Sequence, residues 1–219
     1  MKKSDMVRGM LFGAEFFTEL HKEVVKLGGS EENMFEKMKT GTGLAKEMAK
    51  LIVTGAKKLA LKSLKLVADG IAIATKAFTK DSFFKKNGPV KLYFGDNFKN
   101  WVLSIIPDSI PAFERKLLKT QLTESMYDSA ILNELGQPKP FTAGEFVAII
   151  HDLLTKQPNG ESGTLLNNGY ANIFYVQLED GRIVAVDVFW DSDDREWHLN
   201  ADDLDDIQWS DGRCVFSRS

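Results

Sequence analysis

Two short stretches crowd carboxylates together. One holds Asp191, Asp193, Asp194 and Glu196; the other holds Asp202, Asp203, Asp205 and Asp206 around Leu204. Several carboxylates on one loop are the donor set of a hard cation such as calcium. The first stretch lacks the glycine and the length of an EF-hand loop, and solvated acidic turns account for both stretches equally well. Neither offers the paired carboxylates in contrasting environments that general acid–base chemistry needs. His21, His151 and His198 stand in separate segments without an i, i+4 partner suited to a metal, and read as surface or internally satisfied histidines. Gly41-Thr42-Gly43 is too short for a phosphate loop and follows no strand. A G-x-S-x-G elbow is absent from the sequence, and Cys214 has no catalytic setting. On these grounds we assign no catalytic residue, no cofactor and no metal ligand, and leave open whether the chain is an enzyme.

The remaining candidates are aromatic. Trp190, Trp197 and Trp209 recur near the ends of expected strands. Indoles bury large apolar area, so closing one small core is their ordinary use; a stacking or contact surface is the functional alternative. The runs that position them alternate with a period of two. Phe174, Val176 and Leu178 share a face, as do Val184, Val186, Val188 and Trp190, opposite Ile183, Ala185, Asp187 and Phe189. Asp180-Gly181 between the runs marks a tight hairpin, with Glu179 and Arg182 facing each other across it. Trp197 and Leu199 predict a third strand, and Arg213 to Phe216 a short last one.

Upstream, the pattern turns helical. Ser4 is a cap, and Met6, Met10, Gly13, Phe17, Leu20, Val24 and Leu27 form one helical face that Gly28-Gly29 stops. Shorter helices are expected from Ser30 and from Leu44 to about Ala56. Lys57 to Thr79 also fits a helix, through Ala60, Leu64, Val67, Ile71, Ala74 and Phe78, although its local alternation slips phase; Gly70 is a possible bend. Asn87-Gly88-Pro89 is the expected domain boundary. Beyond it we expect a strand over Val90 to Phe94 and a helix after Asp96. Glu114 to Leu122 reads as a strand, and Ser125 opens a helix that Gly136 closes. Thr142 and Glu145 form a capping box, with Phe141 and Phe146 at the staple positions.

Composition bounds the rest. Of 219 residues, 43% are hydrophobic and 27% charged, as in ordinary globular proteins, and the net charge of −3 names no partner. Ten lysines against three carboxylates between Leu44 and Lys86 contrast with twelve carboxylates against four arginines after Gln177. The lysines make the Lys57–Lys80 segment a candidate for an anionic surface. No apolar run reaches the length of a membrane span, Glu15 interrupts the opening stretch too early for a signal peptide, and the single cysteine fits a reducing cytoplasm.

The stretches VRGM, VVKLGGSEEN and LAKEMAKLIV near the start, FTAGEFVAII in the middle, and the tail from Trp197 through LDD and Trp209 to RCVFSRS resemble a set of uncharacterised proteins of candidate-phyla bacteria. The likeness spans most of the chain and is weak between Lys57 and Asn87. It implies an α+β fold in a bacterial protein and transfers no activity and no site residue.

The expectation is therefore an α+β protein, with a helical domain over 1–87 and an α+β domain over 88–219 that ends in a small antiparallel sheet. Its expected function is non-catalytic binding or interaction in the cytoplasm, with a protein partner or self-association, through Trp190, Trp197 and Trp209. Nucleic acid is not an expected partner. An enzyme site assembled from scattered residues and attachment to an anionic surface through the lysine-rich helix are the alternatives.

Overall fold

Strand-forming sequence dominates the computed structural model, which describes residues 61–84 and 88–219. The chain divides into Met1–Ala56 and Lys57–Ser219, and the description concerns the second unit. The helices expected between Ser4 and Ala56 lie outside the described residues.

The central feature is one mixed sheet of eight strands: β1 (Leu64–Ala74), β3 (Leu92–Phe94), β5 (Glu114–Leu122), β6 (Phe141–Thr142), β7 (Asn172–Gln177), β8 (Ile183–Asp191), β9 (Glu196–Asp203) and β10 (Cys214–Arg218). Their order is β1-β5-β10-β7-β8-β9-β3, with β6 also beside β7. Neighbours are antiparallel except at three places: β10 against β7, β6 against β7, and β3 against β9. A separate two-stranded sheet joins β2 (Phe78–Thr79) to β4 (Ser109–Ile110). The helices among the described residues are short: α1 (Lys80–Phe83), a π-helix (Phe98–Leu103), α2 (Asp128–Glu134) and α3 (Ala143–Thr155).

This corrects the expected α+β division. The sheet is large and mixed rather than small and antiparallel, and it draws on residues well upstream of the tail. Leu64–Ala74, read as helix, is the longest strand and pairs with β5. The phase slip in its sequence has a physical cause. The register shifts between Leu66 and Ala68 and again between Ala68 and Ile71, where Gly70 takes φ +70°. A bulge adds a residue to one strand and so mimics, in sequence, the drift of a helical pattern. The basic amphipathic helix proposed for an anionic surface is therefore absent over 64–74. Asn87, where the boundary is expected, lies outside the described residues; β1 before it and β5 after it pair with each other.

Several local expectations hold. Glu114–Leu122 is a strand, and β7, β8 and β9 form a meander through Gly181 at φ +87°. Arg182 pairs with Asp180 at 2.8 Å and Asp203 at 3.2 Å rather than with Glu179. The capping box of α3 forms in both directions, through Glu145 N to Thr142 Oγ1 at 3.2 Å and Thr142 N to Glu145 Oε2 at 3.0 Å. Phe141 and Phe146 both pack on the ring of Phe174. The same Glu145 carboxylate takes Arg218 and Arg115, which tie α3 to β10 and β5.

Each sheet face buries its own core. On the first face Phe174, Val186, Val188, Leu199 and Phe216 meet α3 and the π-helix; on the second Ile173, Tyr175, Ala185 and Val215 meet α2 and the segment around Trp209. Buried amides are satisfied locally. Asn172 donates to the Leu166 and Val188 carbonyls and accepts from Leu166 N, and Gln157 brackets Leu165 in the same manner.

Gly160 illustrates how tightly the first core closes. It has φ +70°, and a Cβ there would overlap the Trp190 indole. Gly160→Ala should therefore cost on the order of 2–4 kcal/mol by combined strain and overpacking. Urea unfolding followed by tryptophan fluorescence checks this, the expected result being a lower midpoint with an unchanged slope.

Candidate functional site

The three tryptophans do not share a surface. Trp197 is 0% exposed and donates Nε1 to the Gln157 carbonyl at 2.8 Å, while Trp190, 8% exposed, meets it edge-on at 5.5 Å between ring centres. Both belong to the first-face core. Trp209, 4% exposed, lies in the second-face core.

Trp209 leads instead to a buried carboxylate. Asp128, at the start of α2, is 1% exposed and accepts Trp209 Nε1 at 2.7 Å, Tyr175 Oη–H at 2.9 Å and Asp205 N at 3.0 Å. Asp205, at φ +67°, returns the bond by accepting Ser129 N at 2.8 Å, which caps α2 from a distant loop. Burial raises the Asp128 pKa, and the three donors oppose the rise. This group is fully engaged and structural.

Asp187 is the contrasting case. It projects from β8 on the same face, opposite Asn200 of β9, and is 7% exposed. Its side-chain hydrogen bond, from Asn200 Nδ2, is long at 3.5 Å. Burial, reinforced by the nearby Asp202 charge, pushes its pKa up to about 6, against the smaller opposing pull of the Asn200 amide, its own backbone N–H and the Arg213 charge. Asp202 is itself raised, first by burial and then by Asp206, Asp128 and Asp203.

Asp187, Asn200 and Asp202 meet a cleft of about 420 Å³, to which Gly95, Asp96 and Asn97 bring the entry to the π-helix and Ile207 and Trp209 bring the tail. Asp96 is paired with Lys99 at 3.1 Å. π-helical turns recur at functional sites because the extra residue re-aims the backbone. The lining therefore supplies carboxylates, amides and one indole. Such a set attracts a cation, which an ionised Asp187 would hold against its own desolvation.

Further along the same face, His198 of β9 lies in a row between Phe189 of β8 and Tyr93 of β3, with ring centres 4.8 and 4.6 Å away. The next cross-strand pair, Asp191 and Glu196, ends the hairpin.

The sequence reading missed Asp187 as a site, although its signal was present. It is the lone carboxylate in the apolar run Ile183 to Trp190, and a charged residue at the centre of a buried strand calls for an explanation. Asp128 carried no such signal, since it sits in a polar stretch. Among the described residues no helix is long and apolar enough to cross a membrane. No family model, curated protein or solved structure matches the chain.

A carboxyl whose folded pKa lies above its unfolded value stabilises the fold only while protonated. That contribution is complete below about pH 4 and lost as pH rises through about 6. Asp187→Asn should therefore raise stability at pH 8 by on the order of 2–3 kcal/mol and leave it unchanged at pH 3.5. Thermal unfolding of both proteins across this range checks the sign.

Proposed function

We propose that the protein is a non-catalytic binding protein of the cytoplasm whose second-face cleft takes up an organic cation, an ammonium or guanidinium group. The supporting observation is Asp187: a nearly buried carboxylate whose side-chain hydrogen bond, from Asn200, is long, facing a cleft of about 420 Å³. That volume suits a small molecule. A lysine or arginine side chain of a protein partner presents the same group. Trp209 adds an indole to the lining, a surface to which organic cations are drawn. The cytoplasmic assignment rests on the buried, unpaired thiol of the single cysteine, Cys214.

A cation binds the ionised carboxylate, so protons compete with it. Affinity should be level above about pH 6 and fall about tenfold per unit below it. Calorimetric titration of the full chain with putrescine and agmatine at pH 7.5 should give saturable binding, weakened at least tenfold in Asp187→Asn, with no binding of neutral 1,4-butanediol. Stronger binding of a blocked Gly-Lys-Gly peptide would point to a protein partner as the source of the cation. Equal binding of the diol, or an unchanged affinity in Asp187→Asn, would overturn the reading.

A second reading, an acid–base enzyme, has one observation in its favour: a carboxyl with a pKa of about 6 is suited to proton transfer near neutrality. In that case the cleft residues, drawn from four separate segments, form the scattered site. Asp187→Asn would then keep substrate binding and lose turnover, the reverse of the outcome above.

A further inference from the structure

We propose that the end of the β8–β9 hairpin is a binding site for a divalent transition ion of the zinc type, held by Asp191, Asp194 and His198 with Glu196 as a fourth donor. It is separate from the cleft, since Asp187 and Asp191 are four strand residues apart, about 13 Å.

The imidazole supplies the observation that acidic residues alone would not. His198 Nε2 is sealed from solvent and has no hydrogen-bond partner among the described residues. A buried ring nitrogen without a hydrogen bond costs on the order of 1–3 kcal/mol, and the carboxylates of Glu196 and Asp191 stand near it without making one. The ring cannot turn away to find one, because Phe189 and Tyr93 pack beside it across the neighbouring strands.

The carboxylates are placed to share that partner. Asp191 Oδ1 accepts Asp193 N at 2.8 Å and Asp194 N at 3.1 Å, which fixes the carboxylate. Its Oδ2 stands 3.9 Å from His198 Nε2, and Glu196 Oε1 stands 3.5 Å from the same nitrogen. One donor atom each from Asp191, Asp194 and His198 fall within 4.8 Å of one another. These separations are long for direct hydrogen bonds. Donors arranged tetrahedrally at about 2.1 Å from a zinc centre lie roughly 3.4 Å apart; the two distances from His198 Nε2 are near that value, and the exposed Asp194 carboxylate, within 4.8 Å of the others, closes in when the ion binds.

The donor chemistry selects the ion. Calcium and magnesium take oxygen ligands, whereas a neutral imidazole beside carboxylates favours zinc, cobalt or nickel. Binding uses the Nε2 lone pair, with the ring proton on Nδ1, and displaces a proton from Nε2 where the ring is protonated. The sequence missed this set because His198 lies on the returning strand, beyond the acidic turn.

Cobalt(II) titrated into the full metal-free chain should give the visible absorption of a four-coordinate site with one equivalent bound, displaced by zinc and not by a hundredfold excess of calcium or magnesium. His198→Gln and Asp194→Asn should each weaken zinc binding at least tenfold. Asp194 is exposed, so that variant stays folded if the His198 variant does not. Retained affinity in Asp194→Asn, or a signal lost in His151→Gln instead, would overturn the assignment. Asp187→Asn should leave zinc binding unchanged, which separates this site from the cleft.

Discussion

Burying an ionisable carboxyl is costly unless donors surround it, and the second face of the sheet is arranged around one that is surrounded. Asp128 takes an indole N–H, a phenol and a backbone amide from three different parts of the chain. Those three bonds fix α2 against β7 and hold the Trp209 segment across the sheet, where Trp209 also exchanges backbone bonds with Met126 at 2.9 Å in both directions. The phenol is bound into this node so firmly that burial and the Asp128 charge push its own pKa far above the usual range. Half of the second face is thereby closed. The other half, over β8 and β9, keeps its cleft.

The two buried aspartates on that face show how alike residues take different roles. Asp128 is close to saturated with donors and behaves as a structural group. Asp187 has one long side-chain bond and a like charge nearby, and burial with that charge outweighs Arg213 and its own backbone N–H, so that its carboxyl lies above the ordinary range for aspartate. Natural chains retain such groups at a cost in stability when something outside the fold completes them. The hairpin end repeats the pattern with a histidine in place of the aspartate.

Much of the β-rich tail was legible in the sequence. Alternation over Ile173–Gln177 and Ile183–Trp190 defines two strands and their turn, and Thr142 with Glu145 marks the start of α3. What escaped has identifiable causes. The bulges around Gly70 broke the period of two that would have revealed β1, and a helical period fitted the remainder. Pairings between distant segments, β10 beside β5 and β7 or β3 beside β9, leave no local trace, because strands far apart in sequence share no turn, whether they run antiparallel as β10 and β5 do or parallel as the other two pairs do. The site residues were hidden likewise: Asp187, Asn200, Asn97 and Trp209 meet only once the sheet exists, and His198 belongs to its acidic neighbours through a hairpin rather than through helical spacing.

The position of β10 has a consequence for how the molecule is made. It is the last strand in sequence, yet it lies in the middle of the sheet, bridging β5 on one side and β7 on the other. During synthesis the β1–β5 pair and the β7–β9 meander emerge first, each with an open edge awaiting the same late segment. Joining them closes a loop of about a hundred residues to β5 and one of about forty to β7, which is slow compared with forming hairpins. Until that insertion occurs, two sticky edges are available to neighbouring chains, and the nascent protein is at its most vulnerable to misassembly and most in need of a chaperone.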